Sequence, residues 1–173
     1  MNKYLFLDID GVLNHENFYQ NRFNLLKQHK EIPPYPLCEF DPFCVEQVNR
    51  ILDETNANLV ISSSWRFDKD LKNILKKVGL KFDNFEITPY LCGQIRGLEI
   101  KKYIDDLLLS DEYKDKTTFN ERMHPEKVIR YCILDDDSDM LYDQRNNFVQ
   151  TNACGSGLTK RLANKVIKIL NRE

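Results

Sequence analysis

The segment Leu5-Phe6-Leu7-Asp8-Ile9-Asp10-Gly11-Val12-Leu13-Asn14 decides how this chain folds and which chemistry it can carry. The apolar run at residues 4–7 predicts a short buried strand, and two carboxylates follow it at once. Because residues i and i+2 of a strand share a face, Asp8 and Asp10 should converge where the strand ends. Gly11 allows a sharp turn there, since it lacks a Cβ. A plain Asp/Gly turn is the simpler alternative.

A second group of acids follows a later strand. Residues 128–134 are mostly apolar, and Asp135-Asp136-Asp137-Ser138-Asp139 comes directly after them. Clustered carboxylates repel one another unless a cation lies between them, and Mg²⁺ prefers carboxylate and carbonyl oxygens. We therefore predict a Mg²⁺ site with ligands from Asp8, Asp10, Asp135 and Asp136, while a solvated turn is the alternative. Which of Asp135, Asp136 and Asp139 binds the ion directly stays open.

Short apolar strands alternate with helical patterns along the chain. The strands are expected at residues 4–7, 58–61, 85–88, 128–134 and 148–151, and the helices at residues 43–55, 71–78, 96–108 and 162–170. This alternation is typical of an α/β fold with a doubly wound, Rossmann-like parallel sheet. A length of 173 residues suits one domain, so we predict a single domain over residues 1–173.

Composition excludes several classes of function. The formal net charge of −2 offers no bulk attraction to nucleic acid or to an anionic membrane, so any basic surface must be local. Five cysteines without a CxxC pair suggest neither a disulfide framework nor a zinc site. No segment approaches the ~20 apolar residues of a membrane span, and the first apolar run is too short for a signal peptide. We expect a reduced, cytoplasmic protein without a membrane partner.

Residues 14–42 lack a clean period and contain aromatic and basic side chains, followed by Pro33-Pro34-Tyr35-Pro36. The prolines favour an extended segment. We predict a short helix at most, then a loop that lies over the site as a small cap or flap, because a loop of this length is usually functional. Surface padding is the alternative.

Two further positions predict an anion site. Ser62 and Ser63 follow the second strand, where hydroxyls and free backbone N–H groups at the next helix can bind phosphate; helix capping is the alternative. Arg96 lies at the entrance to a helix, where the dipole disfavours a cation. An anion facing both Arg96 and the helix N-terminus would explain this misfit, whereas an exposed loop arginine would need no explanation.

The segment from Asp8 to Asn14 resembles the DxDGxL(N) signature of the haloacid dehalogenase (HAD) superfamily of phosphohydrolases. The resemblance implies that Asp8 is the nucleophile, that Asp10 is the acid/base and that Ser62 binds the phosphoryl group. It also implies a Mg²⁺ cofactor and an aspartyl-phosphate intermediate. Arg96 is similar to the basic residue of the third motif, which is more often lysine.

Lys101 and Lys102 therefore remain candidates for that third-motif cation. Asp135, Asp136 and Asp139 resemble the acidic fourth motif.

A closer resemblance is to the HAD-like domain of Swiss Army Knife RNA repair proteins. The shared features are DxDGVLN, Ser-Ser-Trp-Arg after the second strand, the Arg-Gly-x-Glu-Ile helix start, the Asp-Asp turn, and Thr151 with Gly157-Leu158-Thr159. This likeness implies removal of phosphate from nucleic-acid 3′ or 5′ ends, with a small or absent cap. Trp65 and Arg66 go beyond the general superfamily pattern, and we predict that they bind substrate. Core packing of Trp65 and a structural ion pair of Arg66 remain alternatives.

Other functions fit the same motifs. A small-metabolite phosphatase or nucleotidase comes second, and a phosphoprotein phosphatase third. A catalytically silent module that binds RNA or protein is the non-enzymatic alternative. The presence of both Asp8 and Asp10 argues against that module, because a silent relative would be free to lose either one. The sequence does not predict the oligomeric state.

Overall fold

The computed structural model describes residues 1–114, 117–122 and 124–172. Its centre is a five-stranded parallel sheet with the strand order β3-β2-β1-β4-β5. The strands are β1 (Asn2–Leu7), β2 (Asn58–Ile61), β3 (Glu86–Ile87), β4 (Ile129–Asp135) and β5 (Phe148–Gln150). The predicted α/β, Rossmann-like class is confirmed.

The position of β1 determines where the site can form. Leu7 pairs with Ile61 of β2 on one side and with Leu134 of β4 on the other. The strand order therefore reverses next to β1, and ligands of open α/β sheets bind at the carboxyl ends of strands at such a switch point. Asp8 is the first residue after β1, so the fold places it at that point.

Seven α-helices surround the sheet in the described part of the chain. They are α1 (Glu16–Lys27), α2 (Pro42–Thr55), α3 (Leu71–Lys77), α4 (Arg96–Leu108), α5 (Asp111–Lys114), α6 (Phe119–Arg122) and α7 (Lys160–Leu170). Short 3₁₀ helices span Ser64–Phe67, Pro125–Lys127 and Tyr142–Asn147. The last of these follows the acidic turn at residues 135–139.

Alternating side chains of β1 face two separate cores. Leu5 and Leu7 pack with α2, α3 and α7 on one face, whereas Tyr4 and Phe6 pack with α4 on the other. All four side chains are buried, which accounts for the nearly continuous apolar run of this central strand. With the same alternation, Asp8 and Ser62 follow the α4 face of the sheet, and Asp135 extends that face on β4.

Helix α1 corrects the expectation for residues 14–42. Its 12 residues exceed the short helix predicted, and none of them is buried. Helical periodicity in a sequence arises from a stripe of buried apolar residues, and α1 has no such stripe. Its start is set locally, because Nδ1 of His15 accepts a hydrogen bond from the Phe18 N–H. The predicted irregular segment follows from residue 28 to residue 41.

Within the described ranges, every helix is too short or too polar to cross a membrane.

Candidate active site

Asp8 is the buried carboxylate at the switch point. Its backbone N–H continues the sheet pairing to the carbonyl of Leu134 at 2.9 Å. Burial raises the pKa of Asp8 to about 6, while a hydrogen bond from the Ser63 side chain and the charge of Arg96 pull that pKa down. The carboxylate is thus held among donors and one cation, which favours the ionised form near neutral pH.

Asp10 is exposed, and its two carboxylate oxygens are held from different sides. Oδ1 accepts a hydrogen bond from the Asn14 side-chain amide at 2.8 Å, and Oδ2 accepts one from the Trp65 indole N–H at 2.9 Å. Asn14 also accepts the Gly11 N–H at 2.9 Å, which closes the turn between the two residues. Trp65 itself packs edge-on against the buried ring of Phe40, with centroids 5.4 Å apart. Asp10 is therefore a positioned carboxylate next to Asp8.

Asp135 and Asp136 complete a carboxylate group that fits a metal ion. One oxygen from each of Asp8, Asp135 and Asp136 lies within 4.8 Å of the others. Asp135 is 1% exposed, and its Oδ2 has no hydrogen-bond partner among the described residues. Burial and the nearby charge of Asp8 raise the pKa of Asp135 to about 8. A buried carboxylate oxygen without a donor fits a hard cation, because leaving it unpaired is costly.

Gly11 makes room for this group. Its φ is +69°, and a Cβ at this position would lie 2.3 Å from Cγ of Asp136. Any side chain would therefore displace Asp136. Asp10, by contrast, directs its carboxylate to Asn14 and Trp65, so the side-chain group with metal-ligand spacing consists of Asp8, Asp135 and Asp136.

Arg96 is the cation that faces the acids. Its guanidinium lies 3.8 Å from Oδ1 of Asp8, 3.7 Å from Oδ2 of Asp135 and 3.4 Å from Oε2 of Glu99. Lys101 and Lys102, the other candidates, are exposed on α4 and pair with acids one turn further along that helix. Of the three candidates, the geometry brings only Arg96 to Asp8.

The N-terminus of α4 differs from what its sequence suggested. Asp139 accepts the Arg96 N–H with its side chain at 2.9 Å, and its carbonyl accepts the Gly97 N–H at 3.3 Å. Asp139 therefore occupies the helix dipole that we expected to face a phosphate, and it lies outside the Asp8–Asp135–Asp136 group. The carboxylate of Asp139, rather than a bound anion, therefore compensates the unfavourable position of Arg96 at this helix N-terminus.

The two serines after β2 have different environments. Ser63 donates to Asp8 and also accepts the Trp65 N–H at 3.4 Å, as the cap of the short 3₁₀ helix. Ser62 is fully buried, and its hydroxyl has no partner within the described residues. We predicted an anion site formed by free backbone N–H groups at the start of a helix. The structure has a short 3₁₀ helix there instead, and the Arg66 backbone N–H already donates to the Ser63 carbonyl.

Arg66 is part of the scaffold in this structure. Its side chain is only 3% exposed, and its Nη2 donates to both carboxylate oxygens of Glu99, at 2.9 Å each. It also donates to the carbonyls of Ser62 and Ser63 at 3.4 and 3.3 Å, which fixes the end of β2. This geometry favours the structural ion pair over direct substrate binding. Trp65 contacts Asp10 rather than packing purely in the core.

Glu99 is a residue of the site for which the sequence predicts no role. It is buried, and it joins Arg66, Arg96 and the backbone N–H of Leu91. The available signal was a glutamate in the first turn of a helix that also begins with an arginine. Such a glutamate usually serves the helix dipole, so its two arginine partners became visible only in the fold.

The C-terminal motif residues support the Asp10 loop. Thr151 donates its hydroxyl to the Gly11 carbonyl at 2.9 Å, and the Leu158 N–H donates to the Val12 carbonyl at 3.1 Å. A Cβ on Gly157 would approach that same carbonyl to 2.8 Å. These contacts explain why residues more than 130 positions away from Asp10 belong to one motif set.

A second group of potential metal ligands consists of His15, Asp41 and Cys44. Both nitrogens of His15 are already engaged, one with the Phe18 N–H and the other with Asp41 at 2.8 Å. Burial raises the pKa of the Cys44 thiol to about 12, so the thiolate needed for metal binding is disfavoured. This group joins the start of α1 to α2.

Comparison with known protein families matches residues 4–163 to the HAD domain in Swiss Army Knife RNA repair proteins. Searches among curated proteins and among solved structures gave no match. The match runs from Tyr4 in β1 to Ala163 in the first turn of α7, and so includes every site residue described above. The chain belongs to the family of HAD domains found in Swiss Army Knife RNA repair proteins.

Proposed function

We propose that this protein is a Mg²⁺-dependent phosphohydrolase that works through an aspartyl-phosphate on Asp8 and removes phosphate from nucleic-acid ends. Family membership supports phosphohydrolase chemistry of the HAD type, and the family description supports the RNA-repair setting. The observation that carries the proposal is the environment of Asp8. This carboxylate lies at the switch point beside Ser63, Arg96 and the unpartnered oxygen of Asp135.

Asp8 supplies the nucleophile. One of its oxygens attacks phosphorus, and the bond from phosphorus to the leaving oxygen breaks as the aspartyl-phosphate forms. Asp10 gives its proton to the leaving oxygen and then accepts a proton from the water that attacks the aspartyl-phosphate, which frees Asp8. Asn14 and Trp65 hold both oxygens of Asp10, so its carboxyl group stays in one orientation through both steps.

Charge must be balanced before a phosphate can approach. Six carboxylates surround the site (Asp8, Asp10, Glu99, Asp135, Asp136 and Asp139), against the guanidiniums of Arg66 and Arg96. A phosphate dianion would be repelled by this excess. Mg²⁺ held by Asp8, Asp135, Asp136 and the carbonyl oxygen of Asp10 would neutralise charge and polarise the phosphoryl oxygens.

Arg96, Ser63 and Ser62 would bind the remaining oxygens of the phosphoryl group. Stabilising the charge on those oxygens is the main catalytic task in phosphoryl transfer.

Residues 14–42 act as a small flap within a single domain of residues 1–173. Burial and the charges of Glu39 and Asp10 raise the pKa of Tyr19 to about 12, which shows that α1 lies within range of the charge on Asp10. Arg22 lies 5.2 Å from the Tyr19 ring and pairs with Glu39 at 2.7 Å. The flap therefore presents an aromatic ring within range of the charge on the proposed acid/base residue. We place the protein in the cytoplasm, as its free cysteines suggested.

The test measures phosphate release by the full chain with Mg²⁺. The substrates are 3′- and 5′-phosphorylated oligonucleotides, mononucleotides, sugar phosphates and phosphotyrosine peptides. We expect turnover of phosphorylated oligonucleotides, loss of activity with EDTA, and loss of turnover in Asp8→Asn. Asp137→Asn is the matched control, because Asp137 is an exposed acid of the same turn.

Each part of the proposal can fail separately. Near-wild-type activity of Asp8→Asn would refute the nucleophile, and full activity in EDTA would refute the metal. Preference for mononucleotides or sugar phosphates, with steep loss for oligonucleotides, would favour the metabolite phosphatase and leave the mechanism in place. Oligonucleotide turnover should also fall steeply with salt, because each neutralised phosphate releases counterions.

A further inference from the structure

Phe67 and Tyr90 form an exposed aromatic pair at the carboxyl ends of β2 and β3. The two rings are 61% and 60% exposed, and their centroids lie 5.3 Å apart at an interplanar angle of 86°. Single exposed aromatics are common on protein surfaces. Two rings brought together from different loops, at the sheet edge that carries the active site, are a more specific arrangement.

Arg66 holds the pair in place from the protein side. Its guanidinium carbon lies 5.1 Å from the Phe67 ring and 5.8 Å from the Tyr90 ring, within the range of cation–π contact. Because Glu99 fixes that guanidinium with two hydrogen bonds, the rings rest on a rigid cation. Binding of a ligand that stacks on the outer side of the pair would therefore cost little side-chain conformational entropy.

A short chain of contacts joins this pair to the nucleophile. Glu99 binds Arg66 and also lies 3.4 Å from Arg96, whose guanidinium lies 3.8 Å from Asp8. The Leu91 N–H, next to Tyr90, donates to Glu99 at 3.1 Å. Three side chains, Arg66, Glu99 and Arg96, therefore connect the pair to Asp8 in an unbroken series of contacts. A substrate whose phosphate lies at Asp8 could extend along this edge of the sheet to the pair.

The surroundings select the kind of group that can bind there. The pair forms one wall of a cavity of about 490 Å³, whose other walls include Ile87, Tyr103 and Leu107. The charged residues of this cavity besides Arg66 are Glu86 and Asp106, and Arg66 is already paired. A phosphodiester would be repelled by these carboxylates. A neutral planar ring would meet apolar walls and two aromatic side chains.

We propose that Phe67 and Tyr90 form a stacking subsite for the unpaired nucleobase next to the phosphate that is removed. This proposal rests on the proposed action on nucleic-acid ends and names the part of the substrate that is recognised. Stacking on aromatic side chains tolerates any base, so the subsite would accept ends of every sequence. It would prefer a single-stranded end, in which the base is free to leave its neighbour.

The experiment compares two phosphorylated oligonucleotides that differ only in whether the nucleotide next to the phosphate carries a base or is abasic. The quantity measured is the ratio of kcat/KM for the base-bearing and the abasic substrate. Loss of aromatic stacking should lower this ratio about 5- to 150-fold in the double variant Phe67→Ala/Tyr90→Ala. Phe119→Ala is the matched control, since Phe119 is 73% exposed and precedes β4 at the opposite end of the sheet.

The outcomes are distinct. The wild type alone can overturn the subsite. If its ratio of kcat/KM for the base-bearing and abasic substrates is near one, the base is not recognised, even if oligonucleotides are good substrates. An unchanged ratio in the double variant, or an equal fall in Phe119→Ala, would also overturn it. Loss of phosphotyrosine-peptide turnover without a change in the oligonucleotide ratio would assign the pair to a peptide ring instead. If the wild type hydrolyses no oligonucleotide, the proposed function itself fails, and the subsite with it.

Discussion

Replacement of Asp135 by asparagine should stabilise the metal-free protein while it weakens Mg²⁺ binding. Asp135 is buried beside Asp8, and the pKa of its carboxyl rises from 3.8 to about 8 in the folded state. A raised folded-state pKa of an acid means that the group favours folding at low pH, and that this contribution is lost as the pH rises through the folded pKa. The metal-free protein should therefore lose stability between about pH 4 and pH 8.

The size of the effect follows from the same pKa. A rise from 3.8 to about 8 sets an upper limit of about 6 kcal/mol on the cost of ionising Asp135 in the folded protein. Arg96, 3.7 Å from Oδ2, offsets part of it. Asparagine keeps an oxygen for the Asp137 N–H, which lies 3.0 Å from Oδ1. We expect a gain of about 1–4 kcal/mol at pH 8, which is typical of removing buried charge, and almost none at pH 4.

The assay is urea unfolding of wild type, Asp135→Asn and the exposed control Asp137→Asn, each in EDTA and in Mg²⁺ at several pH values. In EDTA the stability advantage of Asp135→Asn should grow with pH. In Mg²⁺ the wild type should gain stability most at high pH, because binding to the folded state alone is stabilising. A less stable Asp135→Asn in EDTA at pH 8, or an equal Mg²⁺ gain in both variants, would refute the reasoning.

Three further predictions concern the loop that carries Asp10. Asp10→Asn should lower kcat about 10²- to 10⁴-fold with little change in the free energy of unfolding. A near-wild-type kcat for phosphate release would exclude the acid/base role. Trp65→Phe should keep the packing on Phe40 but lose the indole N–H to Asp10, which should lower kcat about 3- to 30-fold at an unchanged melting temperature; an unchanged kcat would contradict the positioning role. Gly11→Ala should cost about 1–2 kcal/mol for positive φ, measured by urea unfolding, and should weaken Mg²⁺ binding by displacing Asp136; full Mg²⁺ affinity would argue against the Asp136 ligand.

The sequence alone determined the parallel sheet and the residues at its strand ends. Buried strands such as β1 are specified by their own apolar residues, and amphipathic helices such as α4 by their buried stripe. Both kinds of element can therefore be predicted from the sequence. The same pattern predicts the positions of Asp8 and Asp135, since Asp8 directly follows such a strand and Asp135 is the last residue of another. Helix α1 was underestimated, because a helix that buries none of its residues leaves no stripe in the sequence.

Tertiary structure alone decided which partners the charged residues have. Arg66 and Arg96 are both arginines near strand or helix ends, and their sequence contexts gave no sign that Glu99 would bind them both. Asp139 was likewise one acid among four until the fold placed it at the N-terminus of α4. Ion pairs and caps between distant segments depend on three-dimensional proximity rather than on local propensity. The sequence therefore predicts which residues lie at the site, while the packing of β2, α4 and the turn after β4 decides which groups each charged residue contacts.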